Sequence, residues 1–154
     1  MSLVQSLESD LEKIIELRQE VLHPGGPRDR VVYAQDKEDS TIHLIHKDLN
    51  GDILITGTMI LEAEEENGEQ EFRIRGMAVS EKLRGQGLGT KLLEKFIEVA
   101  REEKVYKIWC NARVKALPLY ERKGFVKTGE PFDVPGSGPH YRMRLKIGGV
   151  NENT

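Results

Sequence analysis

Three alternate glycines, Gly85, Gly87 and Gly89, stand where an apolar strand gives way to a helical stripe, and Arg84 directly precedes them. The whole segment reads Val79-Ser80-Glu81-Lys82-Leu83-Arg84-Gly85-Gln86-Gly87-Leu88-Gly89-Thr90. The first turn of a helix leaves backbone N–H groups unpaired, and the helix dipole adds partial positive charge there. Glycines let the backbone bend and approach a ligand with no Cβ in the way. Arg84 offers a charged fork suited to phosphate oxygens. Arg84 through Thr90 therefore predict a pyrophosphate-binding turn. A plain glycine-rich linker is the bland alternative. One glycine would serve such a linker, and each extra one weakens the helix start by up to about 1 kcal/mol. A P-loop requires Lys-Ser or Lys-Thr after its last glycine, whereas here Thr90-Lys91 is reversed. A Rossmann fingerprint opens directly after its strand and spaces its last two glycines three apart. Here five residues separate Val79 from Gly85, and Gly89 follows Gly87 by two.

Arg84-Gly85-Gln86-Gly87-Leu88-Gly89 resembles the [Arg/Gln]-x-x-Gly-x-[Gly/Ala] signature of the GNAT superfamily of N-acetyltransferases. A second family landmark is matched by Asn111-Ala112 and, further on, Tyr120-Glu121-Arg122-Lys123-Gly124-Phe125. The resemblance covers nearly the whole chain and implies an acetyltransferase that uses acetyl-CoA. It implies that Arg84, Gly85, Gln86, Gly87, Leu88, Gly89 and Thr90 bind the coenzyme A pyrophosphate. It implies that the backbone of Met77, Ala78 and Val79 pairs with the pantetheine arm, whose amides suit an extended edge. Asn111 is then expected to hydrogen-bond the cofactor, and Tyr120 to stand beside the thioester sulfur and protonate the departing thiolate. A phenol does this for a less basic thiolate only when the surroundings help. A neutral amine attacks the thioester directly, with backbone N–H groups stabilising the oxyanion. Cys110 sits in an apolar run and reads as a buried core thiol.

Many members of the family carry a glutamate about six residues before the position of Val79, and Arg73 occupies that place here. The general base is therefore sought elsewhere, at Glu62 or at His140. If Asn67-Gly68 is a two-residue hairpin turn, Arg73 falls opposite Glu62, and Glu64 opposite Glu71. A cross-strand ion pair is the ordinary reading of Glu62 with Arg73. His140 enters the last strand from Gly136-Ser137-Gly138-Pro139, where capping or packing competes with a role as base. Arg73 and Arg75 are two apart on one strand and share a face. They suggest an acceptor amine that also carries an anionic group. A small-molecule primary amine is the favoured acceptor. A protein lysine or N-terminal amine is the alternative, with the acidic segment 62–71 attracting basic peptides. A non-catalytic acyl-CoA-binding module is the reading from another class.

The elements that must position these residues follow from periodicity. Leu7, Leu11, Ile14, Ile15, Val21 and Leu22 recur at helical spacing, ended by Pro24-Gly25-Gly26-Pro27. Period two begins at Thr41 and predicts strands over 41–47, 53–61 and 70–79. Leu88, Leu92, Leu93, Phe96, Ile97 and Ala100 mark a second helix over 87–102. A buried strand is expected over 105–110, a short helix over 112–122 capped by Gly124, and final strands over 125–127 and 140–147. The order predicts an α/β (α+β) fold: one domain over residues 1–154, with a central mixed, mostly antiparallel sheet of six to seven strands flanked by helices.

Composition bounds the rest. The chain of 154 residues is 38% hydrophobic and 32% charged, with net charge −3, a globular profile without the basic excess of a nucleic-acid binder. Four histidines are scattered and one cysteine is present, so neither a zinc pattern nor an internal disulfide is expected. No apolar run reaches the roughly 18 residues of a membrane span. Met1 to Gln5 show no basic region or apolar stretch of a secretion signal, so a cytoplasmic protein without a membrane partner is expected. Members of the family often dimerise, and a homodimer is compatible with the resemblance.

Overall fold

The computed structural model describes residues 1–148. The elements are β1 (Val4–Gln5), α1 (Leu11–Leu22), β2 (Ile42–Lys47), β3 (Ile53–Ala63), β4 (Gln70–Val79), α2 (Leu88–Glu102), β5 (Lys107–Arg113), α3 (Leu117–Glu121), β6 (Val126–Val134) and β7 (Gly138–Lys146). Seven strands form one sheet in the order β1-β2-β3-β4-β5-β7-β6. The pairs β1/β2, β2/β3, β5/β7 and β6/β7 are antiparallel, and β4/β5 is parallel. This is the mixed, mostly antiparallel sheet with helices that the periodicity predicts.

Close packing divides the chain into two units, Met1–Ile60 with Ile74–Lys95, and Leu61–Arg73 with the residues from Phe96 onward. In the first unit, Ile14 and Leu17 of α1 pack with Ile45, Ile53 and Ala78. Leu7 is exposed, and the helix begins only at Leu11, because Asp10 turns back to accept the Leu7 N–H at 2.8 Å. Arg18 is fully buried on the same helix. Its guanidinium donates to both Asp36 carboxylate oxygens at 2.9 Å, to Val31 O at 2.8 Å and to Thr58 Oγ1 at 2.8 Å. It also stacks on Tyr33, 4.1 Å from the ring centroid. A buried charge persists only when paired and hydrogen-bonded, and this network meets that condition. It ties the segment after α1 to β3. Gly76 interrupts β4 at φ +66°, and a Cβ there would lie 2.9 Å from Arg18 Nε and 3.0 Å from the Tyr33 hydroxyl.

In the second unit, β5 alternates faces along its length. Ile108, Cys110 and Ala112 are buried on one side, while Lys107, Trp109, Asn111 and Arg113 occupy the other. The direct partners on β7 keep the same division, with Arg144 opposite Trp109, Arg142 opposite Asn111 and His140 opposite Arg113. The apolar run expected over 105–110 is thus a two-faced strand shifted toward the C-terminus. β6 also runs well past the short strand expected at 125–127, extending to Val134.

Candidate active site

The glycine turn lies in the first unit. Met77, Ala78 and Val79 close β4, and Ser80 N–H then donates to Leu54 O at 2.8 Å. Glu81–Leu83 make a single 3₁₀ turn whose cap is Ser80, its Oγ accepting the Lys82 N–H at 3.3 Å. Gly85 and Gly87 have φ of +82° and +70°, and a Cβ at either would meet no atom within 4 Å. The backbone conformation, not crowding, therefore demands glycine at both places. Lys91 N–H donates to Gly87 O at 3.3 Å, so the N–H groups of Leu88, Gly89 and Thr90 precede the first helical bond of α2. The Arg84 guanidinium is half-exposed and 3.7 Å from Glu81. Open space over two glycines, three early helical N–H groups and a half-exposed cation fit a pyrophosphate. The coenzyme A phosphates suit these residues on that count.

Tyr120 lies in the second unit, on α3. It is buried, with its ring edge-on to Phe125 at 5.5 Å between centroids. Its hydroxyl is hydrogen-bonded to the Cys110 thiol on the apolar face of β5. Burial holds the phenol above its ordinary range, and neighbouring Cys110 adds to the rise. The Cys110 thiol is itself pushed up to about 12 by burial, against the pull of the Tyr120 hydroxyl and the Arg73 charge. Tyr120 therefore stays protonated and presents an O–H to sulfur in dry surroundings.

The polar face of β5 and β7 brings together most of the other residues named from the sequence. Arg73 pairs with Trp109 across the parallel step and stacks on its ring at 4.6 Å. Arg142 stacks on the same ring at 4.3 Å. Glu62 accepts the Trp109 indole N–H at 3.0 Å. Two adjoining cavities, of about 410 and 710 Å³, open on this face. Glu62, Glu71, Arg73 and Trp109 line the smaller, Asn111 and Phe132 the larger, and Arg142 and Arg144 both. Asn111 thus leaves β5 on the side opposite Cys110 and its hydrogen bond to Tyr120. The Asn111 Oδ1 is buried without a hydrogen-bond partner.

His140 is buried on that same face, stacked on Phe132 with 6.0 Å between ring centroids. Its Nδ1 lies 2.8 Å from Gly138 O. A carbonyl only accepts, so Nδ1 carries a proton and Nε2 is the nitrogen left to exchange one. Glu62, by contrast, already spends a carboxylate oxygen on Trp109.

Two expectations are corrected. Glu64 N–H donates to Glu69 O at 2.7 Å and Gly68 N–H to Glu64 O at 2.8 Å, so the hairpin loop spans Glu65 to Gly68. The Asn67-Gly68 pair is only the end of that loop, and counting back sets Glu62 opposite Glu71 rather than Arg73. Arg75 does not share Arg73's surroundings either. Its guanidinium stacks on Tyr33 in the first unit, 3.9 Å from the centroid.

Trp109, Arg142 and Arg144 went unnamed in the sequence, and Glu71 entered only as a cross-strand neighbour of Glu64. Glu71 is buried, and its carboxylate lies 3.5 Å from Arg144. Burial holds it above the usual carboxylate range, opposed by Arg144 and reinforced by Glu64 and Glu62. The signal available was alternation: His140, Arg142 and Arg144 are spaced by two, as are Trp109 and Asn111. Among the described residues no group of histidine, cysteine or carboxylate side chains could hold a metal. No helix among them is long and apolar enough to cross a membrane.

A strand, a left-handed glycine turn and a helix on a mixed seven-stranded sheet are the architecture expected of an acyl-CoA N-acyltransferase. The sequence model of the Acetyltransferase (GNAT) family matches residues 10–125. An uncharacterized N-acetyltransferase of Bacillus subtilis (strain 168), YitI, is 31% identical over 140 residues, covering 86% of this chain and 89% of YitI. The chain belongs to the GNAT acetyltransferase family, whose members use acetyl-CoA as cosubstrate. The fold is shared with an acyl-CoA N-acyltransferase from Pseudomonas aeruginosa, at TM-score 0.72 and 23% identity over 94% of this chain and 98% of that one. It is shared with Escherichia coli ElaA as well, at TM-score 0.74 and 18% identity over 95% and 100%.

Proposed function

We propose that the chain moves an acetyl group from acetyl-CoA to the primary amine of a small molecule, by direct attack and without an acyl-enzyme. The observation that carries this reading is the turn at Gly85 and Gly87, left-handed at both glycines and open above them, at the start of α2. Arg84 and the backbone of Gly85 to Thr90 hold the pyrophosphate, and Met77, Ala78 and Val79 the pantetheine arm. Acetyl-CoA supplies the activated acetyl group and a thiolate leaving group.

His140 Nε2 removes the proton from the attacking ammonium or amine. Its support is the Nδ1–H bond to Gly138 O, which leaves Nε2 as the nitrogen that can accept a proton. Glu62 is the second candidate, through water. The Tyr120 hydroxyl donates to the departing sulfur. Surroundings that push the Cys110 thiol up to about 12 make a thiolate beside it strongly basic. That basicity is the local help a buried phenol needs. A cavity of about 410 Å³ suits a small acceptor. The exposed Glu65 and Glu66 at the hairpin tip favour a basic peptide as the second acceptor class.

Calorimetric titration with acetyl-CoA, beside NAD and ATP, tests the cofactor. Selective acetyl-CoA binding that Gly87→Glu abolishes supports the reading, and preference for NAD or ATP ends it. Thiol release with small amines against basic peptides then separates the two acceptor classes.

A further inference from the structure

The polar face of β5 and β7 holds two groups whose chemistry is unspent. Asn111 Oδ1 is buried with no donor. Arg142 touches the Trp109 ring but no carboxylate among the described residues. Its neighbours are committed. Arg144 lies 3.8 Å from Glu64 and 3.5 Å from Glu71, and Lys107 holds Glu64 at 2.7 Å and Glu69 at 2.8 Å. Glu62 is engaged by the Trp109 N–H. Glu64, Glu69 and Glu71 therefore serve other cations, and Glu62 an indole N–H. The exposed Arg142 guanidinium lines the larger cavity beside Glu66 and Glu130 without an ion pair among the described residues, and can form a bidentate pair with a ligand carboxylate.

The two unspent groups are also adjacent. Asn111 and Arg142 are direct antiparallel partners, so their side chains leave one face with Cβ atoms about 5 Å apart. His140 lies two residues along β7 from Arg142 on that face, about 7 Å away. One group seeks an N–H donor, the other an anion, and a proton acceptor stands beside them.

We infer that the acceptor is an amine that also carries a carboxylate, held by Arg142 while Asn111 Oδ1 accepts an amine N–H. An α-amino acid is the most compact molecule with both groups. This rests on the acetyltransferase reading, and it moves the anion site from the Arg73 and Arg75 pair to Arg142.

Trp109 is the only tryptophan of the chain and sits under the Arg142 guanidinium, so its emission reports on that contact without any turnover. The probes are L-alanine, L-methionine, L-glutamate and 4-aminobutyrate, each beside its carboxamide. Each is measured twice, by Trp109 fluorescence and by thiol release from acetyl-CoA. The expected result is a saturable change in emission with carboxylates and a kcat/KM at least about tenfold above the matching amide. In Arg142→Ala that ratio falls toward one, and in Arg142→Lys it takes an intermediate value. Equal response to acids and amides, or a preference that survives Arg142→Ala, overturns the inference. Thiol release without carboxylate preference leaves the acetyltransferase reading standing and removes the anion site. A carboxylate-selective change in emission with no thiol release does the reverse.

Discussion

Gly76→Ala and Gly85→Ala place the same methyl group on two left-handed backbones with different surroundings. At φ +66° and +82°, both alanines carry a similar backbone strain, roughly 1–2 kcal/mol for an L-residue held in that region. At Gly85 nothing else is added, since its Cβ meets no atom within 4 Å. At Gly76 the Cβ would lie 2.9 Å from Arg18 Nε, 3.0 Å from the Tyr33 hydroxyl and 3.1 Å from Tyr33 Cε2. Arg18 cannot swing away, because its other nitrogens are tied to Asp36, Val31 and Thr58 in the interior. Overpacking of this kind adds about 1–3 kcal/mol. The expected loss is thus about 1–2 kcal/mol for Gly85→Ala and about 2–5 kcal/mol for Gly76→Ala. With a urea m-value of about 2 kcal/mol/M, the midpoints fall by about 0.5–1 M and by about 1–2.5 M. Equal losses in the two variants, measured by urea unfolding, would refute the claim that Arg18 and Tyr33 form a rigid wall behind β4.

Tyr120→Phe should lower kcat by about ten- to a hundredfold while the acetyl-CoA Kd stays within about twofold, since the hydroxyl acts on the leaving sulfur. Steady-state kinetics beside calorimetry checks this, and unchanged kcat across pH refutes the role. His140→Gln should cut kcat/KM by about a hundredfold, and raising the pH should partly restore it as more amine is free in solution. The third prediction concerns stability. His43 is partly buried, with Nε2 bound to Asp36 O at 2.9 Å and Nδ1 to Thr58 Oγ1 at 2.7 Å. Burial depresses it below the ordinary 6.5, with the Arg18 charge also disfavouring protonation and the Asp36 carbonyl opposing. The unfolded chain then binds a proton that the folded chain resists. Stability is complete above about pH 6.5 and falls by up to about 1.4 kcal/mol per unit as the pH drops below it. Urea unfolding at pH 7.0 and 5.5 should show that slope blunted in His43→Gln.

The glycine turn was legible in the sequence because only glycine accepts the backbone angles found at Gly85 and Gly87. The stripe from Leu88 to Ala100 was legible because a helix with one buried face repeats itself. What escaped was set by partners distant in sequence. Trp109 looked like part of an apolar run, yet it turns its ring to Arg73 and Arg142 on the wet side of β5. Asn67-Gly68 promised a two-residue turn, and the Glu64–Glu69 pairing placed them inside a longer loop. Arg18 gave no sign of burial, since its carboxylate partner lies 18 residues away. Of the candidate site, the glycine turn and His140 were named from local pattern, and Tyr120 from the family resemblance. Arg142 became visible only when strand register placed it on one face with Asn111 and His140.

Cys110 carries a consequence for chemical selectivity. Lifting its thiol from 9.0 to about 12 leaves roughly a thousandfold less thiolate than an ordinary cysteine has at neutral pH. On the proposed placement of the thioester beside Tyr120, such a sulfur does not intercept it, and acyl groups pass to nitrogen without a dead-end acylated protein. The same silence makes Cys110 a natural clock. Iodoacetamide will label it only when β5 and α3 part, and the labelling rate will count those openings.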